Sequence, residues 1–95
     1  MKLSYTYILS NRSRNMTYVG VTTQLITRIT QHKEGKGSVF TNKYNLKDLV
    51  YFEEFTDIFQ AIAREKQLKN WRKEWKWNLI RASNPELRDL FDDLR

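Results

Sequence analysis

The side chains best suited to phosphate or proton chemistry lie in the first third of the chain. Arg28 and His32 are spaced i, i+4 in a segment with helical periodicity, so both project from the same side of a helix. Tyr18 lies ten residues before Arg28, at the end of a predicted hairpin. An arginine fork binds phosphate bidentately, and a tyrosine hydroxyl can orient a water molecule or, if its pKa is lowered, activate it. The same spacing also fits a solvated helix face, with Tyr7 and Tyr18 as packed sheet aromatics.

Glu65 is a second candidate because of where its charge falls on a helix. In the helical segment 58–69 it lies within about 35° of the centre of the apolar stripe. A carboxylate at such a position must find a partner or bear the cost of desolvation. It is therefore either a metal ligand or acid/base group, or a side chain that pairs with a nearby Lys or Arg where the helix passes beyond the core.

Basic and aromatic side chains alternate between residues 64 and 81. Together they can neutralise phosphates and stack on bases. The alternative is that the tryptophans pack the helices onto the sheet. This packing is favoured for Trp71 and Trp75, which are four residues apart, and less for Trp77, which lies off their face. The interleaved residues are Arg64, Lys66, Lys69, Arg72, Lys73, Lys76, Arg81, Trp71, Trp75 and Trp77.

The elements that must position these side chains begin with a hairpin. Residues 5–9 and 17–21 are rich in β-branched and aromatic residues, and the polar residues 11–15 between them form a turn. Thr22 or Thr23 is then expected to cap a helix that carries Leu25, Ile26 and Ile29 on one face and ends near Gly35.

The second half of the chain predicts one strand and three helices. After a loop at 35–38, residues 46–55 read as a buried strand, and Thr56-Asp57 opens the next helix. A further helix covers about 71–81, and Asn84-Pro85 starts a short terminal helix. A small antiparallel or mixed sheet must then be covered by helices that hide its apolar face.

Composition limits the classes of function. Ninety-five residues form one domain, and the absence of cysteine excludes disulfides, thiolate zinc sites and a cysteine nucleophile. A single histidine excludes a His-rich metal site. No apolar run is long enough for a signal or membrane segment, so we expect a soluble cytoplasmic protein without membrane partners. The net charge of +6 favours a polyanionic partner.

The ordered set of these residues resembles the GIY-YIG endonuclease superfamily, in its small stand-alone bacterial branch. The matching pieces are Tyr5-Thr6-Tyr7, Tyr18-Val19-Gly20, Arg28 with His32, Glu65, and the segment that starts at Asn84-Pro85. The first piece keeps the tyrosine of the family motif but lacks its glycine and isoleucine.

The resemblance implies an α/β protein with the GIY-YIG nuclease fold. Its three-stranded antiparallel sheet is flanked by helices in the order β-β-α-β-α-α, with a short C-terminal helix. The single domain would cover residues 1–95, with the motif core at about 4–82 and the C-terminal helix at about 85–94. Relatives include the nicking subunit of bacterial excision repair, homing endonucleases, restriction enzymes and nucleases for branched DNA.

The resemblance also implies site residues and a cofactor. Tyr7, Tyr18, Arg28, His32 and Glu65 would be catalytic, with Glu65 holding Mg²⁺ or Mn²⁺ for phosphodiester hydrolysis in DNA. Tyr7 would deprotonate or orient the attacking water, and His32 would shuttle a proton. Nucleic-acid contacts are expected from Lys33, Lys36, Lys43, Lys66, Lys69, Arg72, Lys73 and Asn84.

Two other functions fit the same sequence. One is a non-catalytic nucleic-acid-binding module that retains the nuclease fold. The other is a protein-interaction domain that uses the acidic residues of 48–57 and of the C-terminal tail.

Overall fold

A three-stranded antiparallel sheet forms the centre of the molecule. The computed structural model describes residues 2–94 and contains the strands β1 (Ser4–Ser10), β2 (Thr17–Thr22) and β3 (Asp48–Phe55). The strand order is β2-β1-β3, so the first two strands form the expected hairpin and β3 pairs with the other side of β1. The α/β class and the antiparallel sheet are confirmed.

The helices cover both faces of this sheet. They are α1 (Leu25–Lys33), α2 (Val39–Lys43), α3 (Ile58–Lys69), α4 (Lys73–Ser83) and α5 (Phe91–Leu94). The predicted order of elements is confirmed, with the addition of α2, a five-residue helix in the stretch between the predicted loop at 35–38 and the predicted strand. None of the described helices is both long and apolar enough to cross a membrane.

Capping follows the prediction at α3 and departs from it at α1. Asp57 caps α3 by accepting a hydrogen bond from the backbone N–H of Phe59. At α1 the N-cap is Gln24, which makes no side-chain cap. The prediction of a Thr22 or Thr23 cap was wrong because the Thr22 hydroxyl accepts from the Gln24 N–H in the turn before the helix.

The alternation of side chains along the strands gives the sheet two apolar faces. One face packs against α1 and α5, and the other against α3 and α4. The first cluster contains Tyr7, Leu9, Leu25, Ile29, Leu46, Leu49 and Phe91. The second contains Ile8, Val19, Val50, Tyr51, Leu68, Trp77 and Ile80.

The tryptophans of the fourth helix pack differently from the prediction. Trp77 is buried in the second cluster, whereas Trp75 is half-exposed. Trp71 precedes α4, and its ring packs against the second cluster and edge-on to Trp75, with 6.3 Å between the two centroids. Trp77 and Ile80, three residues apart, are the residues that α4 buries against the sheet.

The C-terminal helix is also shorter than the predicted 85–94. Asn84 ends α4, and its side chain bonds both the N–H and the carbonyl of Arg88. Leu87 adopts a positive φ of 53°, which interrupts helical geometry. A helix therefore begins only at Phe91, whose backbone N–H donates a hydrogen bond to the Asp89 carboxylate.

Candidate active site

Tyr7 occupies the centre of the sheet, on the strand between the other two. Its cross-strand neighbour on β2 is Gly20, and its ring lies against that residue. A Cβ at position 20 would lie 2.4 Å from both the Cζ and the hydroxyl of Tyr7. Only glycine leaves room for the ring, so Gly20 fixes where the Tyr7 hydroxyl lies.

The Tyr7 hydroxyl is joined to His32 by a buried hydrogen bond. The oxygen lies 2.9 Å from Nε2 of His32, and each residue is only 1% exposed. Nδ1 of His32 lies 3.0 Å from the hydroxyl of Thr41, which can donate to the carbonyl of Ser38. These partners are all satisfied when Nδ1 carries the proton and the Tyr7 hydroxyl donates to Nε2.

The short helix α2 and the loop before it hold His32 from its other side. Thr41 of α2 is buried against Nδ1, and a Cβ at Gly37 would lie 2.0 Å from that nitrogen. Neither Gly37 nor Thr41 was predicted as a site residue. The signal that was present is the Gly-Lys-Gly-Ser loop, whose second glycine lets the backbone approach the imidazole.

Burial sets the protonation of this pair. Desolvation raises the pKa of Tyr7 to about 12, because the lowering effect of Arg28 is smaller than that of burial. Desolvation and the positive charge of Arg28 lower the pKa of His32 to about 4. At neutral pH the phenol is therefore protonated and the imidazole is neutral. Arg28 lowers the pKa of Tyr7 by less than burial raises it, so the arginine by itself does not make Tyr7 a base.

Arg28 is fixed beside this pair by two hydrogen bonds. Its Nη1 donates to the Gln31 side chain at 3.1 Å and its Nη2 to the Gly37 carbonyl at 3.0 Å. A guanidinium has five N–H donors. The half-buried Arg28 thus keeps donors for an anion near Tyr7 and His32, as the i, i+4 spacing predicted.

Glu65 approaches the site from the opposite layer, at the edge formed by β2. Its side chain is 16% exposed and pairs with Lys69, with 3.1 Å between Oε2 and Nζ. The same Nζ lies 5.9 Å from the centre of the Tyr18 ring. One cation therefore joins the carboxylate to Tyr18, and the negative charge of Glu65 acts on the pKa of Tyr7.

Tyr18 completes the group through its ring. Its centroid lies 6.4 Å from that of Tyr7 and 5.8 Å from that of His32. Because the Tyr7 ring extends over Gly20 towards β2, the fold brings Tyr7, Tyr18, Arg28, His32 and Glu65 together on the β2 side of the sheet, although they come from β1, β2, α1 and α3.

The donor set around Glu65 fits a hard cation that keeps most of its waters. Within residues 2–94 no group of three or more His, Cys, Asp and Glu side chains is gathered for a metal ion. A protein site of one carboxylate does not suit zinc, whereas Mg²⁺ retains several waters and takes substrate phosphate as a ligand. Glu65 can supply that one carboxylate.

The basic residues expected to contact nucleic acid differ in their availability. Lys33 pairs with Asp89 and donates to the Lys47 carbonyl. Asn84 is buried, and its side-chain amide donates to the carbonyls of Val50 and Arg88. The exposed residues of the set are Lys36, Lys43, Lys66, Lys69, Arg72 and Lys73.

The comparisons with known sequences and with known structures agree with one another. The model of the GIY-YIG catalytic domain matches residues 3–78. The chain is 34% identical over 80 residues to a UPF0213 protein of Staphylococcus haemolyticus, covering 84% of this chain and 96% of that protein. It is 30% identical to a UPF0213 protein of Pediococcus pentosaceus, covering 90% of each. The solution structure of a UPF0213 protein from Bacillus halodurans is similar, with a TM-score of 0.55, 28% identity and 86% of each chain covered.

Proposed function

Because the chain belongs to the GIY-YIG nuclease family and to its small UPF0213 group, we propose that it is a divalent-metal-dependent endonuclease that hydrolyses phosphodiester bonds in DNA. The observation that carries the proposal is the hydrogen-bonded Tyr7–His32 pair beside Arg28, at the sheet edge that Glu65 reaches. The Tyr7–His32 pair supplies a path for a proton, Arg28 supplies a fixed positive charge, and Glu65 supplies a carboxylate oxygen that can ligate a metal ion.

Arg28 neutralises charge in this mechanism. A phosphodiester resists attack because its anionic oxygens repel a nucleophile, and further negative charge develops as the water adds. The guanidinium is already fixed by Gln31 and the Gly37 carbonyl, so little reorganisation is needed when the phosphate binds. Its remaining donors bind the non-bridging oxygens.

Tyr7 and His32 form the proton path. The attacking water gives its proton to the Tyr7 oxygen while the hydroxyl proton of Tyr7 moves to Nε2 of His32. The new P–O bond forms to the water oxygen, the P–O bond to the leaving strand breaks, and the leaving oxygen takes a proton from solvent. This relay removes the need for a phenolate at rest, which the pKa of about 12 for Tyr7 disfavours. The proton on His32 is held briefly, since its pKa is about 4.

Glu65 would hold the Mg²⁺ or Mn²⁺ ion. Such an ion, when bound, supplies positive charge to the phosphoryl and leaving oxygens. In this structure the ammonium of Lys69 pairs with the Glu65 carboxylate. Because the lysine side chain is flexible, this ammonium could turn towards a phosphate if Glu65 held a metal ion.

Exposed cations would guide the nucleic acid to this edge. Lys36 precedes α2 and Lys43 is its last residue, and Lys66, Lys69, Arg72 and Lys73 run from the end of α3 into α4. Their contacts with phosphates would make binding salt-dependent and largely independent of sequence. We do not include Lys33 and Asn84 in this surface, because both serve intramolecular bonds.

A cleavage panel tests the proposal. Plasmid, linear, nicked, flapped and four-way DNA are incubated with the protein and Mg²⁺ or Mn²⁺, beside Arg28→Ala and Glu65→Ala. We expect metal-dependent cleavage of at least one substrate, with loss in both variants. Salt-dependent binding without cleavage of any substrate would instead indicate a non-catalytic binding module.

A further inference from the structure

Three aromatic rings form a continuous row from the active site to solvent. The Tyr18 centroid lies 6.4 Å from that of Phe40, which lies 4.9 Å from that of Tyr44. We call these three rings the α2 aromatic surface. The row starts at a residue of the candidate site and follows α2 away from it.

Much of this surface is exposed, although aromatic rings are usually buried in a domain of this size. Phe40 is 45% exposed and Tyr44 is 38% exposed. Packing of the core therefore does not account for their position. Exposed rings next to an active site are typical of a surface that contacts a ligand.

Positive charge accompanies the rings. The ammonium of Lys43 lies 5.3 Å from the centre of the Tyr44 ring, and Lys36 is exposed in the loop before α2. Aromatic faces interspersed with cations match the repeating chemistry of single-stranded nucleic acid, in which a base and a phosphate recur in every nucleotide. A paired duplex does not offer its base faces to such a surface.

The position of α2 is fixed relative to the catalytic pair. The hydroxyl of Thr41, between Phe40 and Tyr44 in sequence, lies 3.0 Å from Nδ1 of His32. The N–H of Thr41 donates to the Ser38 hydroxyl, which caps the helix. A nucleotide held on Phe40 would therefore keep a defined distance from the atoms that act on the phosphate.

We propose that Phe40 and Tyr44 stack unpaired bases of single-stranded DNA next to the cleaved linkage, with Lys43 on the adjoining phosphate. The substrate class would then be DNA with a single-stranded segment at the cleavage site, such as a flap. This inference rests on the proposed nuclease function for the location of the linkage, whereas the stacking itself needs no metal or cleavage.

Binding in EDTA tests the stacking separately from catalysis. Fluorescence anisotropy is measured with a labelled single-stranded oligonucleotide and with a blunt duplex of the same sequence. We expect Phe40→Ala and Tyr44→Ala each to weaken single-strand binding about tenfold, the range for loss of a base–aromatic stack, with little effect on the duplex. Phe59→Ala is the matched control, since it removes a 75% exposed phenyl ring at the start of α3.

A second pair of substitutions separates stacking from folding. Phe40→Leu keeps an apolar contact with Tyr18 but removes the aromatic face, and Phe40→Trp restores one. We expect weak single-strand binding in the first and near-normal binding in the second, both with an unchanged far-UV spectrum. Normal binding in Phe40→Leu and Tyr44→Ala, an equal loss for the duplex, or tighter binding of RNA than of DNA would overturn the proposal. If these binding results hold while the wild-type protein cleaves nothing, only the nuclease function fails.

Discussion

The Tyr7 hydroxyl and Nε2 of His32 are 2.9 Å apart and form a buried hydrogen bond inside the candidate site. That contact joins the central strand to α1 and gives the phenol a base to which its proton can move. Neither a phenolate nor an imidazolium is favoured at neutral pH, since the pKa of Tyr7 is raised and that of His32 is lowered. The two residues can act on a water molecule only as a pair.

A double-mutant cycle tests this coupling. Tyr7→Phe and His32→Gln should each lower the single-turnover cleavage rate by about 100-fold or more, as expected for loss of a general base. The double variant should be no slower than the slower single variant, because both substitutions interrupt one proton path. Tyr5→Phe, two residues away on the same strand, is the control. Multiplied losses in the double variant would show independent roles.

The lowered pKa of His32 predicts a pH dependence of stability. The folded pKa of about 4 lies below the unfolded value of 6.5, so the unfolded chain takes up a proton first as the pH falls. The free energy of unfolding should drop by about 2 kcal/mol between pH 7 and pH 5. Urea denaturation across this range measures the drop.

His32→Gln gives the comparison for that measurement. The chain has one histidine, and most carboxylates titrate below pH 5, so the variant should lose most of this pH dependence. An equally steep decline in the variant would assign the effect to other groups.

Gly20 predicts a steric effect on the site. In Gly20→Ala the new Cβ would lie 2.4 Å from the Tyr7 hydroxyl, so either the ring or the strand must move. We expect a loss of about 1–3 kcal/mol in the free energy of unfolding, with a much larger proportional loss of cleavage. Thermal melting and cleavage assays measure the two losses, with Ser13→Ala in the exposed turn as the control. A stable, active Gly20→Ala variant would contradict this account of how Tyr7 is positioned.

Much of the fold follows from the sequence because its apolar patterns are long. Alternating aromatic and β-branched residues specify β1 and β2, and the Asp57 side chain marks the start of α3. The i, i+4 spacing of Arg28 and His32 likewise determines a shared direction, whatever the rest of the chain does.

The remaining features depend on contacts that no local pattern encodes. α2 is only five residues long, and its one buried residue is Thr41, held by His32 from a different element. Trp75 and Trp77 exchanged their expected environments because α4 packs on the sheet through Trp77 and Ile80, a contact that the spacing of Trp71 and Trp75 does not encode. Asn84 ends a helix by bonding residues that follow it, which a capping rule based on Pro85 does not anticipate.

The pairing of Lys69 with Glu65 predicts an effect on metal affinity. Lys69→Met removes a cation 3.1 Å from the Glu65 carboxylate, so a divalent ion would no longer compete with the lysine ammonium for that carboxylate. At saturating DNA, the Mg²⁺ concentration for half-maximal cleavage should fall by about two- to fivefold, the range for loss of a partly exposed ion pair.

The control for that titration is Lys66→Met, which removes an exposed lysine of the same helix. In Lys66→Met the Mg²⁺ concentration for half-maximal cleavage should stay at the wild-type value, even if DNA binding weakens in both variants. An equal shift in the two variants would attribute the effect to net charge instead of to the Glu65 pair.

The role of Glu65 as the metal ligand is tested by the single-turnover cleavage rate of Glu65→Gln as Mg²⁺ is titrated, on the substrate that the wild-type protein cleaves best. Glu54→Gln, at an exposed carboxylate of β3, serves as the control. We expect wild-type behaviour in Glu54→Gln and a loss of at least about 100-fold in Glu65→Gln, with DNA binding retained in EDTA. An unchanged rate and an unchanged Mg²⁺ dependence in Glu65→Gln would contradict it.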